Sequence, residues 1–390
     1  MKMENGKWKM KNEGTPANAR GGIFNFQFSI FNSAPRGRGA ERGAALILAL
    51  WTIGILSLLA FGLAFDSHLQ AQVSIMSRRR AKAEALAQSG VVVAQMLLQK
   101  QSRVTGNEGE DAIGRDKWYE PAFRLSRGME VRGLRYPLGE GEIILDIAPE
   151  PARRNVNRLT DEDWERVLDV GGIPMEMWEE LIDSFKYWVG PQNAIPSGKA
   201  AGREFYESLE EPYSPRFGPV DSVQELLLVN GFTKAVLYGG VLNPEDPPDT
   251  HIRVSGIANL LTTYGDGRVN VNAADMRVLM TLPGIDEIYA GAIIEERQQR
   301  AGGTLSRGAG QSDIMGIIEN IRDSVFRSEA DFFGRIPGLE VDRLRGLITT
   351  SSGHFRVTAV GRVGNTARRV WAILQTTQGD SFVLRWREEI

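Results

Sequence analysis

AALILALWTIGILSLLAFGLAF, residues 44–65, is a run of 22 residues without a charge. As an α-helix rising about 1.5 Å per residue it spans roughly 33 Å, enough for a bilayer core of about 30 Å. Arg36, Arg38 and Arg42 precede it, an arrangement that keeps an N-terminus cytoplasmic. Arg78, Arg79, Arg80 and Lys82 follow it, so the charge bias is not one-sided. A cleaved secretory signal is disfavoured, because the run is long and no small-x-small site follows. Apolar periodicity continues past the run. Leu69, Val73, Met76, Ala83, Ala87, Ala94 and Leu98 recur at spacings of three, four and seven, as on one helical face. No proline interrupts the chain between Pro35 and Pro121. The expectation is a single helix of about 60 residues, apolar all round at first and amphipathic afterwards.

Upstream, residues 1–43 hold eight Lys/Arg against three Asp/Glu, a net of +5. Since the whole chain carries −3, residues 44–390 carry −8. An acidic body argues against a large phosphate-binding surface. Cysteine is absent, which excludes disulfides, thiolate metal sites and cysteine nucleophiles. The three histidines, His68, His251 and His354, have no metal-ligand spacing and suggest no Ser/His/Asp arrangement. Gly37, Gly39 and Gly43 lack the preceding strand that a nucleotide fingerprint requires. No catalytic residue is expected, and Trp164, Trp178 and Trp188 read as core.

Downstream, residues 102–128 read as a loop with short irregular pieces, and 129–136 and 141–148 as strands. From about 150, helix signals recur. Thr160 stands before DEDWERVLDV and Gly171-Gly172, Asp221 before SVQELLLV and Gly231, and Asn272 before AADMRVLMTL and Pro283-Gly284. Further helices are expected near 287–299, 312–325 and 340–348. The C-terminus returns to strands in GHFRVTAVGRV, ARRVWAILQTT and SFVLRWRE, separated by Gly-Asn and Gly-Asp turns. A weak repeat relates 153–173 to 267–285: both hold Asn-Val-Asn, at Asn155 and Asn270, then Arg-Val-Leu and a glycine turn. The expected fold class is α+β. A head made of a long N-terminal helix plus an antiparallel sheet is interrupted by a large all-helical insertion with helix-hairpin-helix-like repeats.

A basic leader ending in glycine before a long apolar helix resembles the type IV prepilin class. GRVNVNAADMRVLMTLPGI at 267–285 and GPVDSVQELLLVNGF at 218–232 resemble the general secretion pathway protein K family, minor pseudopilins of type II secretion systems. The resemblance implies a leader over 1–43, a transmembrane and filament helix over 44–65, and an amphipathic helix with the first strands of a pilin-like head over 66–150. It implies an inserted domain over 151–348 and closing strands over 349–390. It also implies cleavage between Gly43 and Ala44 by a prepilin peptidase, with methylation of Ala44. Leu48 stands at the fifth mature position, where most pilins carry Glu; its absence fits a subunit at the filament tip. The implied partners are the minor pseudopilins I and J, the prepilin peptidase and the inner-membrane secretion platform. The implied location is the inner membrane, single-pass, with the C-terminal part periplasmic. Residues 23–31, IFNFQFSIF, are out of keeping with a leader, and a start further downstream is expected.

LPGIDEIYAGAIIEER at 282–297 resembles a helix-hairpin-helix, which makes a membrane-anchored DNA-binding receptor the alternative. Against it, Asp286 replaces the second hairpin glycine and would repel a phosphate. The following helix sets Glu287, Glu295 and Glu296 against Arg297 and Arg300, so nucleic acid is not an expected partner. No cofactor is expected, with calcium left open. Some protein K relatives bind it, but the corresponding stretch, Tyr187–Asn193, lacks acidic residues, and Glu204 is one carboxylate where several are needed. Glu245, Asp246 and Asp249 form a separate acidic loop, read first as solvated.

Overall fold

The computed structural model describes residues 42–104, 115–245, 247, 251–301, 311–377 and 380–389. The chain divides into two units, Met1–Gln70 and Ala71–Ile390. One helix, α1 (Arg42–Gln101), runs through 60 residues, in agreement with the unbroken periodicity and the absence of proline.

In the second unit α2 (Tyr119–Ser126) is followed by β1 (Val131–Leu138) and β2 (Gly141–Pro149). Then come β3 (Arg154–Asn155), α3 (Asp161–Gly171), α4 (Trp178–Val189), α5 (Arg203–Glu207) and α6 (Lys234–Tyr238). Next are β4 (Gly240–Val241), β5 (Arg253–Val254), β6 (Leu261–Thr262), β7 (Val269–Asn270), α7 (Met276–Met280), α8 (Glu287–Ala301) and α9 (Gln311–Ser324). The chain closes with α10 (Glu329–Arg335), α11 (Val341–Leu344), β8 (Ile348–Thr349), β9 (His354–Val363), β10 (Thr366–Thr377) and β11 (Asp380–Glu389). The stretch 102–128 is corrected by α2, whose Pro121 lies in the first turn, where a missing N–H costs no bond.

Five strands form one antiparallel sheet in the order β1-β2-β9-β10-β11. Alternation along β9 puts Phe355, Val357 and Ala359 on one face, joined by Val370, Ala372 and Leu374 of β10 and by Leu145 and Ile147 of β2. The C-terminal half of α1 covers that face with Ala87, Val91, Ala94, Leu97 and Leu98. Small residues bring helix and sheet together. A Cβ on Gly361 would meet the Ala83 carbonyl at 2.0 Å and the Ala87 nitrogen at 2.5 Å, and one on Gly90 would meet the Ala359 Cβ at 2.7 Å. Ser381 of β11 donates to the Gln95 carbonyl, tying the last strand to the same helix.

Between β2 and β9 the described residues add no strand to this sheet. It is helical, with three strand pairs of two residues each that periodicity could not reveal. Its core is one cluster that includes Trp164, Phe185, Trp188, Leu237, Val271 and Phe332. The repeat is real and longer than its sequence signal. In both copies a two-residue strand, β3 or β7, pairs in parallel with a later one, β6 or β8. Asn155 and Asn270 accept from the backbone of Asn157 and Asn272 at 3.0 Å. The second asparagine then grips one residue of a distant segment at both backbone groups. Asn157 holds Val220 at 2.8 and 3.0 Å, and Asn272 holds Phe326 at 2.8 and 2.9 Å. The next residue, Asp221 or Arg327, donates its N–H to a carboxylate four positions on, Glu225 or Asp331. Each copy ends in a short strand whose threonine, Thr262 or Thr349, accepts from the N–H two residues later.

Capping signals fared unevenly. Thr160 forms a full capping box with Asp163, and Gly172 closes α3 at φ +75°. The 222–229 stretch is a 3₁₀ helix, Val223–Leu228, entered from Ser222 without a side-chain cap, so Asp221 is not a cap. The cap of α7 is Asp275, which accepts from Val278 at 2.8 Å, and not Asn272. The expected 340–348 helix is only the four residues of α11, followed by β8.

At the joint between sheet and repeat block, Glu150 is fully buried. Its carboxylate accepts from Arg356 of β9 and from the Thr262 hydroxyl, and faces Arg153 at 3.5 Å. His354 lies close by, and burial pushes its pKa below 6.5 against the opposing pull of Glu150 and Asp266. A lowered histidine pKa means that the unfolded chain binds more protons. Stability from His354 is therefore complete above 6.5 and is lost as pH falls through the depressed native value. The urea midpoint of the full chain should drop between about pH 7 and pH 5. His354→Gln should flatten that part of the slope; an unchanged slope would assign it to other groups.

Candidate functional site

Three features bear on function: the exposed part of α1, the two hairpins and the acidic loops. Every described side chain from 45 to 82 is exposed, including Leu46, Trp51, Leu56, Phe61 and Phe65. This is a helix long and apolar enough to cross a membrane, the one such helix among the described residues. Leu48 is exposed on its first turns. The backbone of Gly43 and Ala44 is already helical, and the Ala44 side chain lies outside what the structure describes. Leu69, Val73 and Met76 are exposed, while Ala83, Ala87, Ala94 and Leu98 of the same stripe are buried on the sheet.

The hairpins are α3–turn–α4 and α7–turn–α8, turning at Gly172 and Gly284, both at φ +75°, a conformation that favours glycine. In the first, the Gly171 carbonyl accepts from Ser255, so the β5 strand end covers the turn. In the second, the Asp286 carboxylate accepts from the Tyr289 N–H at 2.9 Å and occupies the start of α8 with its own negative charge. Arg297 does not face outward. It donates to the Val271 and Ala274 carbonyls at 2.9 and 3.0 Å, and burial lowers its pKa to about 10. At the second turn a phosphate would have to approach the Asp286 carboxylate, which repels it.

The hairpins instead bind one another. Arg154, beside the first Asn-Val-Asn, donates to the Thr281 carbonyl at the end of α7 and pairs with Asp163 at 2.7 Å. Arg277 of α7 returns the contact, donating to the Val170 carbonyl at the end of α3 and to Gly256. Each arginine thus satisfies carbonyls left open at the other copy's helix end. A sequence sign of this duplication was the pair Leu260-Leu261-Thr262-Thr263 and Leu347-Ile348-Thr349-Thr350, which marks the two closing strands.

The acidic candidates are not brought together. Glu204 is exposed on α5, and Glu245 is exposed in its loop; Asp246 and Asp249 lie outside the described residues. On α4, Asp183 accepts from the Lys199 N–H of the following loop at 3.2 Å, and the Lys199 ammonium pairs with Glu179 of α4 at 2.9 Å. Residues 190–202 themselves contain no carboxylate, and Ca²⁺ needs several. No group of three or more His, Asp or Glu side chains suited to a metal occurs among the described residues. Trp164 and Trp188 are buried, as expected, with Trp188 donating to Glu225 at 3.1 Å.

Residues 148–238 match a family model described as type II secretion system, protein K. Among solved structures the chain is similar to a chain of the GspK-GspI-GspJ complex from the type 2 secretion system of enterotoxigenic Escherichia coli. That likeness has 12% identity and a TM-score of 0.48, over 83% of this chain and 99% of that one. No curated protein matches the sequence.

Proposed function

We infer that this chain, whose residues 148–238 match the model of protein K of type II secretion systems, works as a membrane-anchored minor pseudopilin. The observation that carries the inference is the family match on a chain that opens with the 60-residue α1, exposed and apolar in its first half. An uncharged 22-residue face needs lipid or other apolar helices around it, since water around it is costly. In the proposed cycle α1 first spans the inner membrane, with the C-terminal part in the periplasm. A prepilin peptidase then cuts between Gly43 and Ala44, and Ala44 is methylated. The released helix packs against the minor pseudopilins I and J at the secretion platform.

Leu48 supports placement at the tip. A Glu here would compensate a neighbouring α-amino charge inside an apolar bundle, where an unpaired charge is costly. With Leu48, the subunit suits a position with no such neighbour. The bulk of 151–348 would exclude another subunit above it, so the chain would begin and cap the pseudopilus. Its role is structural: it supports export and is itself the substrate of the peptidase.

Intact mass and N-terminal sequence after co-expression with the prepilin peptidase test this directly. The expected species starts at methylated Ala44, and Gly43→Leu should remain uncut. A chain left whole beside a control prepilin that is cut would overturn the proposal.

A further inference from the structure

A cleft of about 480 Å³ opens between the outer face of the sheet and the repeat block. Five arginines line it around Trp371: Arg153, Arg356, Arg369, Arg385 and Arg387. The register explains the gathering. Trp371 of β10 lies between Thr358 of β9 and Arg387 of β11, and Ile373 lies between Arg356 and Arg385. Alternation puts these side chains on the face that α1 does not cover.

Carboxylates neutralise only part of this charge. Glu150 is shared by Arg153 and Arg356. Asp221 at the rim is taken by Arg216 at 2.6 Å, and only its carbonyl receives Arg385, at 3.3 Å. Glu389 stands across from Arg369 in the strand register. The positive excess is local, because residues 44–390 as a whole carry −8. A long polyanion would also meet the net negative charge of the body around the cleft, whereas a short anionic segment would not.

The strand carrying Arg385 and Arg387 is also the sheet edge. Among the described strands β11 pairs with β10 alone, so its other side presents alternate N–H and C=O groups to an added strand. The register shifts by one residue along β11, so Val383 and Trp386, opposite Leu374 and Ala372, stand on the face away from the arginines; both are exposed and offer apolar contact to alternate side chains of such a strand. Arginine forks bind carboxylates in pairs of hydrogen bonds.

We propose that β11 and the arginine cleft form a docking site for an extended acidic polypeptide segment, added as a sixth strand with its carboxylates on Arg385 and Arg387. The probe is a dye-labelled peptide of about ten residues alternating Glu and Val, titrated by anisotropy into the full-length chain in detergent at low salt. Saturable binding is expected, weakened about tenfold or more by combined Arg385→Glu and Arg387→Glu. A Lys–Val peptide of equal length should gain binding to that variant. Methylating alternate peptide nitrogens should abolish binding if a strand is added. Both arginines are exposed, and an unchanged thermal melt would show that the variant folds.

Absence of saturable binding, or equal affinity in the charge-swapped variant, would overturn the proposal. So would undiminished binding of the methylated peptide. Inorganic phosphate or a sulfated polysaccharide that displaces the peptide and binds more tightly would mark a general anion site and reject the polypeptide occupant. None of these outcomes depends on processing at Gly43.

Discussion

Gly361→Val is expected to strip α1 from the sheet and to cost the second unit at least about 3 kcal/mol. The reason is the identity of the obstructing atoms. A Cβ at 361 would sit 2.0 Å from the Ala83 carbonyl and 2.5 Å from the Ala87 nitrogen, which are helix backbone and cannot rotate away. Relief requires the whole helix to lift, exposing Val357, Ala359 and their neighbours. Gly291 in α8 is the matched control, since nothing lies within 4 Å of its missing Cβ. Gly291→Ala should be neutral or stabilising by up to about 1 kcal/mol, through helix propensity alone. Urea titration of both variants, followed by tryptophan fluorescence, separates the two effects. Equal midpoints would refute the close approach of helix and sheet.

Asn272→Ala should cost about 3–5 kcal/mol, several times the cost of Asn157→Ala. The two asparagines occupy equivalent places in the repeat but hold different loads. Among the described residues the Asn157 side chain bonds to the backbone of Val220 alone. Asn272 is buried and donates to the carbonyls of Arg127, Phe326 and Thr350 while accepting from the Phe326 N–H. It joins the loop after α2, the start of α10 and the entry to β9, so its loss leaves buried carbonyls unpaired. Asn272→Asp should be worse than alanine, because a carboxylate oxygen would face three carbonyls. An Asp variant as stable as the parent would show that the amide is not held as described.

The sequence disclosed those parts of the fold that have period or punctuation. Alternation in β2, β9 and β10 located the sheet, and the stripe ending at Leu98 located α1. Thr160 marked α3 because a cap acts locally. What stayed hidden depends on contacts between distant residues. β3, β6, β7 and β8 have two residues each, too short for any period. Asn272 resembles a cap in sequence and is a tertiary clamp in space. Asp286 was legible as a phosphate-repelling residue, since the position alone decides it. Arg297 was not, because only the folded chain shows which carbonyls it reaches. The arginine cleft was equally invisible: its residues come from 153 and from three separate strands.

The reciprocal arginines have a consequence for how this region folds. Arg154 completes α7 and Arg277 completes α3, so each copy leaves its helix end unfinished until the other is present. The two copies are therefore expected to fold as one unit, with a local partner concentration fixed by the linker instead of by expression level. A chain truncated between the copies, near residue 265, would expose half an interface, and neither fragment should be stable alone. Mixed in trans, the two halves should recover structure together or not at all.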